Sequence, residues 1–272
     1  MTTKVHTALA VARRGWVDRR RSRLAWGTGM VLYLGMMLAV WPSLEGSTGF
    51  ADVAQDYPEA LKAMFGGAEA FDAITTPEGF LNSYVFSFML PLLLVMMAIG
   101  IGAAMLGEED ENGLLDLLLS NPVSRRRVVL EKGLVVAGQV ALIALVVVLV
   151  VLAAGPAVGL DVAVSGVFAA GVGAMLYGVL GGLVALLAGA AAGRRAPALA
   201  VGAVVAVAGY LLTTIAELAS WAEPLGKASP LYHATAGNPV QNGMPANYLI
   251  LAGAALMVLA ATVAVFDRKD LT

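Results

Sequence analysis

The sequence predicts an all-α membrane protein with six transmembrane helices, and three observations carry that prediction. Hydrophobic residues make up 59% of the 272 positions and charged residues 13%, about half the roughly 25% charged content of a soluble domain; the mean hydropathy is +0.82. The charges cluster, leaving apolar runs of about 20 residues or more, enough at 1.5 Å per residue to cross a hydrocarbon core about 30 Å thick. When those runs are threaded in order, 15 of the 17 Lys and Arg residues fall on one side, the asymmetry that marks a cytoplasmic face.

In chain order, residues 1–23 combine apolar positions (Val5, Leu9, Ala12, Trp16) with Lys4 and six arginines. At helical spacing this is an amphipathic helix in the interface, its arginines reaching anionic headgroups. The spans then read 24–44, 80–106, 128–154, 162–192, 197–219 and 246–266. The first reads as a retained anchor: its basic leader and apolar run are both long for a signal peptide, and no small-x-small cleavage site precedes Glu45. The third and fourth are long enough to tilt or project beyond the lipid. The outer loop 45–79 is acidic, with a short helix expected near Tyr57–Phe65, where Pro58 stands near the start and Gly66-Gly67 would stop it. The fourth span carries Gly178, Gly182, Gly189 and Gly193, glycines four apart within each pair, a pattern that lets membrane helices approach closely. Leucine at Gly178 is therefore expected to damage assembly more than leucine at Ala185. Residues 217–245 are broken by Pro224, Pro230, Pro239 and Pro245 and by several glycines, which suits short re-entrant or interfacial pieces. The chain is one transmembrane domain over 1–272, with both termini on the basic, cytoplasmic side.

Much chemistry is excluded. The chain has no cysteine and two distant histidines, His6 and His233, so neither thiolate nor paired-histidine metal ligation is expected. The apolar runs hold almost no ionisable groups at mid-depth, unlike ion-coupled transporters and proton relays. No phosphate-binding loop, serine nucleophile elbow or His-Glu-x-x-His is present. No catalytic residue, metal, cofactor or nucleic-acid partner is expected for this chain.

The informative segment is the charged island 107–127. Glu108, Glu109, Asp110 and Glu111 stand at the end of the second span, where carboxylates favour the start of a new helix. Gly113 allows a sharp turn. Leu114, Leu115, Leu117, Leu118 and Leu119 then make a short apolar helix around Asp116, closed by Asn121-Pro122. So many leucines in so short a piece must pack on the chain's own spans, sink into the interface, or dock on a partner. In the docking reading the acidic side chains pair with the partner's basic residues.

The run Glu111-x-Gly113-x-Leu115-Asp116-Leu117-Leu118-Leu119-Ser120-x-Pro122-Val123-Ser124-Arg125, with Lys132 opening the next span, resembles the loop between the second and third spans of ABC-2 type transporter permeases. Ser229-Pro230-Leu231-Tyr232 with Asn238-Pro239-Val240-Gln241-Asn242-Gly243 is similar to their last outer loop, and Phe266-Asp267-Arg268-Lys269-Asp270-Leu271 to their ending. Leu114 and Asp116 depart from the threonine and glutamate of many relatives. The resemblance implies a permease subunit in a prokaryotic cell membrane that works as a homo- or heterodimer and exports an apolar or amphipathic small molecule. It also implies a separate cytoplasmic ABC ATPase, carrying ATP-Mg, docked on a coupling helix at Glu108, Glu109, Glu111, Gly113, Leu115, Asp116, Leu118, Leu119, Pro122 and Arg125. Charge reversal at Glu108, Glu109 and Glu111 together is expected to weaken that association. A non-transporting scaffold and an intramembrane enzyme are the competing readings.

Overall fold

The computed structural model describes residues 9–45, 57–64, 74–120 and 123–269. They are all-helical, and six of the helices are long and apolar enough to cross a membrane. The elements are α1 (Ala10–Asp18), α2 (Arg20–Leu44), α3 (Glu59–Met64), α4 (Pro77–Glu111), α5 (Leu114–Leu119), α6 (Arg125–Ala154), α7 (Val164–Ala192), α8 (Arg195–Leu218), α9 (Glu223–Gly226), α10 (Pro230–Thr235), α11 (Pro239–Asn242) and α12 (Tyr248–Arg268). The spans are α2, α4, α6, α7, α8 and α12. Much of the outer loop expected over 45–79 lies outside the described residues, as do Asn121 and Pro122; the short helix expected near Tyr57 is α3.

α4 and α7 are the most buried spans and form the centre of the bundle, while α2, α8 and α12 leave most of their surface outward. α7 packs on α4, α6, α8 and α12, and glycine explains how. A Cβ on Gly178 would stand 3.0 Å from Val140 Cγ1 and 3.1 Å from Leu94 Cβ. One on Gly182 would stand 2.6 Å from Val136 Cγ1 and 3.0 Å from Ala98 Cβ. At both positions α7 lies close against α4 and α6 within the protomer. Ala185, expected to tolerate leucine better, is itself 0% exposed and is no neutral reference.

α4 supplies glycines that the sequence reading did not single out. A Cβ on Gly102 would come within 2.0 Å of the Gly182 carbonyl oxygen, and one on Gly189 within 2.8 Å of the Gly107 nitrogen. Gly102 and Gly107 are five residues apart, a spacing that an α-helix rotates off one face. The π-helical turn over Ala104–Glu108 returns Gly107 to the side of α7, because a π-turn holds more residues than an α-turn.

At the end opposite the island, α10 and α11 fold back onto α7. Gly166 lies against the Val240 backbone and Gly173 against the Ala234 carbonyl, and the Tyr248 hydroxyl donates to the Ala169 carbonyl at 2.8 Å. The proline- and glycine-broken segment thus becomes short capped pieces seated on a span.

Candidate functional site: the ionic end of the bundle

α4 runs for 35 residues, about 50 Å at 1.5 Å per residue, well beyond the lipid core. The excess carries Glu108–Glu111 out of the bundle. The helix stops because Asn112 Nδ2 donates to the Glu108 carbonyl at 2.8 Å, the Gly113 N–H donates to the Asp110 carbonyl at 2.9 Å, and Gly113 takes φ +68°. This left-handed cap is one that glycine adopts at little cost. α5 begins at the next residue and buries Leu115, which is 1% exposed, while Leu114 and Leu117 are 42% and 68% exposed. Leu118 and Leu119 are half-buried against the core. Asp116 stays exposed. Gly113 makes the turn and Leu114–Leu119 the short helix.

The four carboxylates are directed otherwise than expected: each is engaged inside the chain. Glu108 pairs with Arg195 of α8 at 3.2 Å. Glu109 pairs with Lys132 of α6, which also donates to the Met105 carbonyl. Asp110 pairs with Lys269 beyond α12 at 2.5 Å. Glu111 accepts the Arg195 backbone N–H at 3.1 Å, placing a carboxylate at the N-terminus of α8, where the helix dipole favours it. The partners lie 23 (Glu109–Lys132) to 159 (Asp110–Lys269) residues away in sequence. The acidic cluster is therefore a junction for the starts of α6 and α8 and the end of α12.

The arginines complete that junction. Ser124 caps α6 by accepting the Arg127 N–H at 3.4 Å. Arg125 donates to the Phe266, Asp267 and Lys269 carbonyls, satisfying oxygens that the end of α12 leaves without helical partners. Arg126 pairs with Asp267 at 2.7 Å. Gly193 ends α7 at φ +65°, and a Cβ there would come within 2.7 Å of Asp110 Oδ2 and 2.8 Å of Lys269 Nζ. Gly193 is thus less a packing glycine than the cap that brings the end of α7 to the Asp110–Lys269 pair.

Two ionisable residues of α6 were underweighted from sequence. Lys132, which opens the span in sequence, is 1% exposed, and Glu131 is 4% exposed. Glu131 accepts the Ala12 backbone N–H at 2.9 Å and Arg127 Nε at 2.7 Å. It thereby holds α1 against α6, where Trp16 also packs over Gly138. Arg23 stacks on the Trp16 ring at 4.5 Å and donates to the Trp16 carbonyl at 2.8 Å. α1 is therefore tied to the bundle. Among the described residues no group of His, Asp or Glu is arranged to hold a metal ion. His233 Nε2 donates to the Lys227 carbonyl at 2.8 Å.

A family model described as ABC-2 family transporter protein matches residues 9–271. None of the curated proteins matches the chain.

Proposed function

Because the chain belongs to the ABC-2 family of transporter proteins, we propose that it is the membrane subunit of an ATP-driven exporter whose separate cytoplasmic ATPase docks on α5. The family consists of membrane subunits that are not themselves catalytic, and it implies association with an ABC ATPase. The basic end of the bundle faces the cytoplasm, with both termini inside, a reading supported by the distribution of Lys and Arg. Two copies form the pathway between them, and the cargo is an apolar or amphipathic small molecule.

The observation that carries the docking reading is the pair Leu114 and Leu117. They stand three residues apart, on one face of a helix, and project from the end of the bundle while Leu115 anchors the helix from below. The carboxylates beside them are engaged internally. Apolar contact, rather than acid–base pairing, therefore supplies the affinity for the ATPase, with exposed Asp116 at the rim.

The junction beneath α5 converts docking into movement of the spans. Displacing α5 moves the end of α4 through the short turn at Gly113. The end of α4 is tied to α6 by Glu109–Lys132, to α8 by Glu108 and Glu111, and to α7 and α12 at Asp110. A push at one exposed helix thus reaches five spans through contacts of one or two side chains. The test is co-expression with candidate ABC ATPase subunits from the same genome. Co-purification and ATP turnover that responds to the membrane subunit are expected. An ATPase that neither associates nor changes its turnover refutes the proposal and leaves a non-transporting scaffold.

A further inference from the structure

Between α1, the end of α4, α5 and the start of α6 lies a cavity of about 970 Å³, in the size range of small-molecule sites. One wall is apolar, built by Val11, Met105, Leu114 and Leu118; the other is lined by charges. Most of those charges are matched: Arg14 with Asp18 at 3.5 Å, Arg127 with Glu131, Lys132 with Glu109 and Arg195 with Glu108. Arg19 and Arg21 also line the cavity, and neither guanidinium has an ion-pair or hydrogen-bond partner among the described residues. Arg19 sits in the break between α1 and α2, half-buried, while Arg21 is exposed at the cavity's edge. Burial pulls the Arg19 pKa down, while the nearby charges of Glu108 and Glu109 act the other way without contact. A desolvated cation without a partner is costly, and an anion in the cavity removes that cost.

We propose that this cavity binds the phosphate-bearing headgroup of an acidic phospholipid, with Arg19 and Arg21 as phosphate ligands and the Met105–Leu118 wall against the glycerol and acyl stem. Two unmatched guanidinium groups beside an apolar wall suit a ligand that is anionic at one end and greasy at the other. Arg supplies the forked donors that phosphate accepts. α1, whose arginines suit anionic headgroups, supplies Val11, Arg14 and Gly15 to the same cavity. Such a headgroup touches α5, so its occupancy braces the docking helix whatever the cargo is.

The test uses the full chain in neutral detergent, titrated with short-chain phosphatidylglycerol, phosphatidylcholine and inorganic phosphate. Phosphatidylglycerol is expected to bind in preference to phosphatidylcholine. Arg19→Gln/Arg21→Gln is expected to weaken it roughly 30-fold, the effect of removing two basic contacts near a membrane surface. Arg13→Gln/Arg20→Gln, the same charge loss at exposed residues outside the cavity, is expected to cost less than about 3-fold. Equal weakening by both pairs, or equal binding of phosphatidylcholine, overturns the site. Displacement by inorganic phosphate at equal concentration assigns it to a free phosphoryl anion and overturns the lipid. Unchanged lipid affinity with loss of the ATPase assigns the cavity to an acidic protein segment instead. Photoreactive phosphatidylglycerol on the unaltered protein provides a reading independent of variant folding. Label in α1 and α5 supports the site, and label confined to the outward faces of the spans contradicts it.

Discussion

Gly102→Ala is the sharpest test of how the centre of this bundle is packed. An added Cβ would stand 2.0 Å from the Gly182 carbonyl oxygen, 3.0 Å from its carbon and 3.1 Å from the Leu186 nitrogen. All three are backbone atoms of α7, so no side-chain rotamer relieves the overlap. Ordinary non-bonded contacts lie at about 3.5–4.0 Å, so α4 and α7 must separate by more than 1 Å along their tightest contact. Overpacking a fitted core costs typically about 1–3 kcal/mol, and a purely backbone clash belongs at the upper end. Alanine's better helix propensity returns at most about 1 kcal/mol, leaving a net loss of roughly 2 kcal/mol, or about 30-fold in the folded-to-unfolded ratio. Gly100 provides the control. It lies two residues away on the same helix, and nothing stands within 4 Å of its Cβ position, so Gly100→Ala should be neutral or slightly stabilising. Unfolding titrations in mixed micelles, with oligomer yield measured in parallel, separate the two. Equal midpoints for both variants would refute the backbone contact between α4 and α7.

Further perturbations probe the ionic junction and the helix beyond it. Glu109→Gln should destabilise by about 3 kcal/mol, because it strands the buried Lys132 ammonium without its counter-charge. Lys132→Met should cost less, since Glu109 is 30% exposed and can hydrate; the order of the two unfolding midpoints checks this. Arg125→Ala removes donors to three carbonyls at the end of α12 and should cost about 1–3 kcal/mol. Arg126→Ala breaks a pair whose arginine is 75% exposed and should cost less than about 1 kcal/mol. Reversing Glu108, Glu109 and Glu111 together should reduce folded yield, since all three hold the chain's own elements. Asp116→Lys, on the exposed face of α5, should leave the unfolding midpoint alone and alter only ATPase association, read by pull-down.

What could be read from sequence follows from what is local. The ends of the spans were legible to within a few residues for most of the bundle because span length depends on the run itself. The stop at Gly113 and the helix Leu114–Leu119 were legible because a left-handed glycine and a leucine run act within one or two turns. α4 was read too short because Glu108–Glu111 looked like loop, whereas they continue the helix to Glu111. Their counter-charges were not legible at all: Lys132, Arg195 and Lys269 come together only when α6, α8 and α12 pack. Gly102 and Gly107 were hidden for a different reason. Their five-residue spacing matches no α-helical face, and the π-turn that aligns them follows from packing against α7 rather than from any residue type. In the same way nothing local to Glu131 marks what it holds; that is set by α1 docking on α6.

Leu117 gives the most direct test of the docking account. The chain has no cysteine, so Leu117→Cys introduces a single thiol at the exposed tip of α5, and Met244→Cys places one at the opposite end of the bundle, where Met244 is 59% exposed. In native membranes containing the co-expressed ATPase, the thiol at position 117 is predicted to cross-link to that subunit and to resist impermeant reagents added outside, while the thiol at position 244 does neither. Labelling of position 117 from the exterior, or an ATPase that associates fully without cross-linking there, would contradict the account.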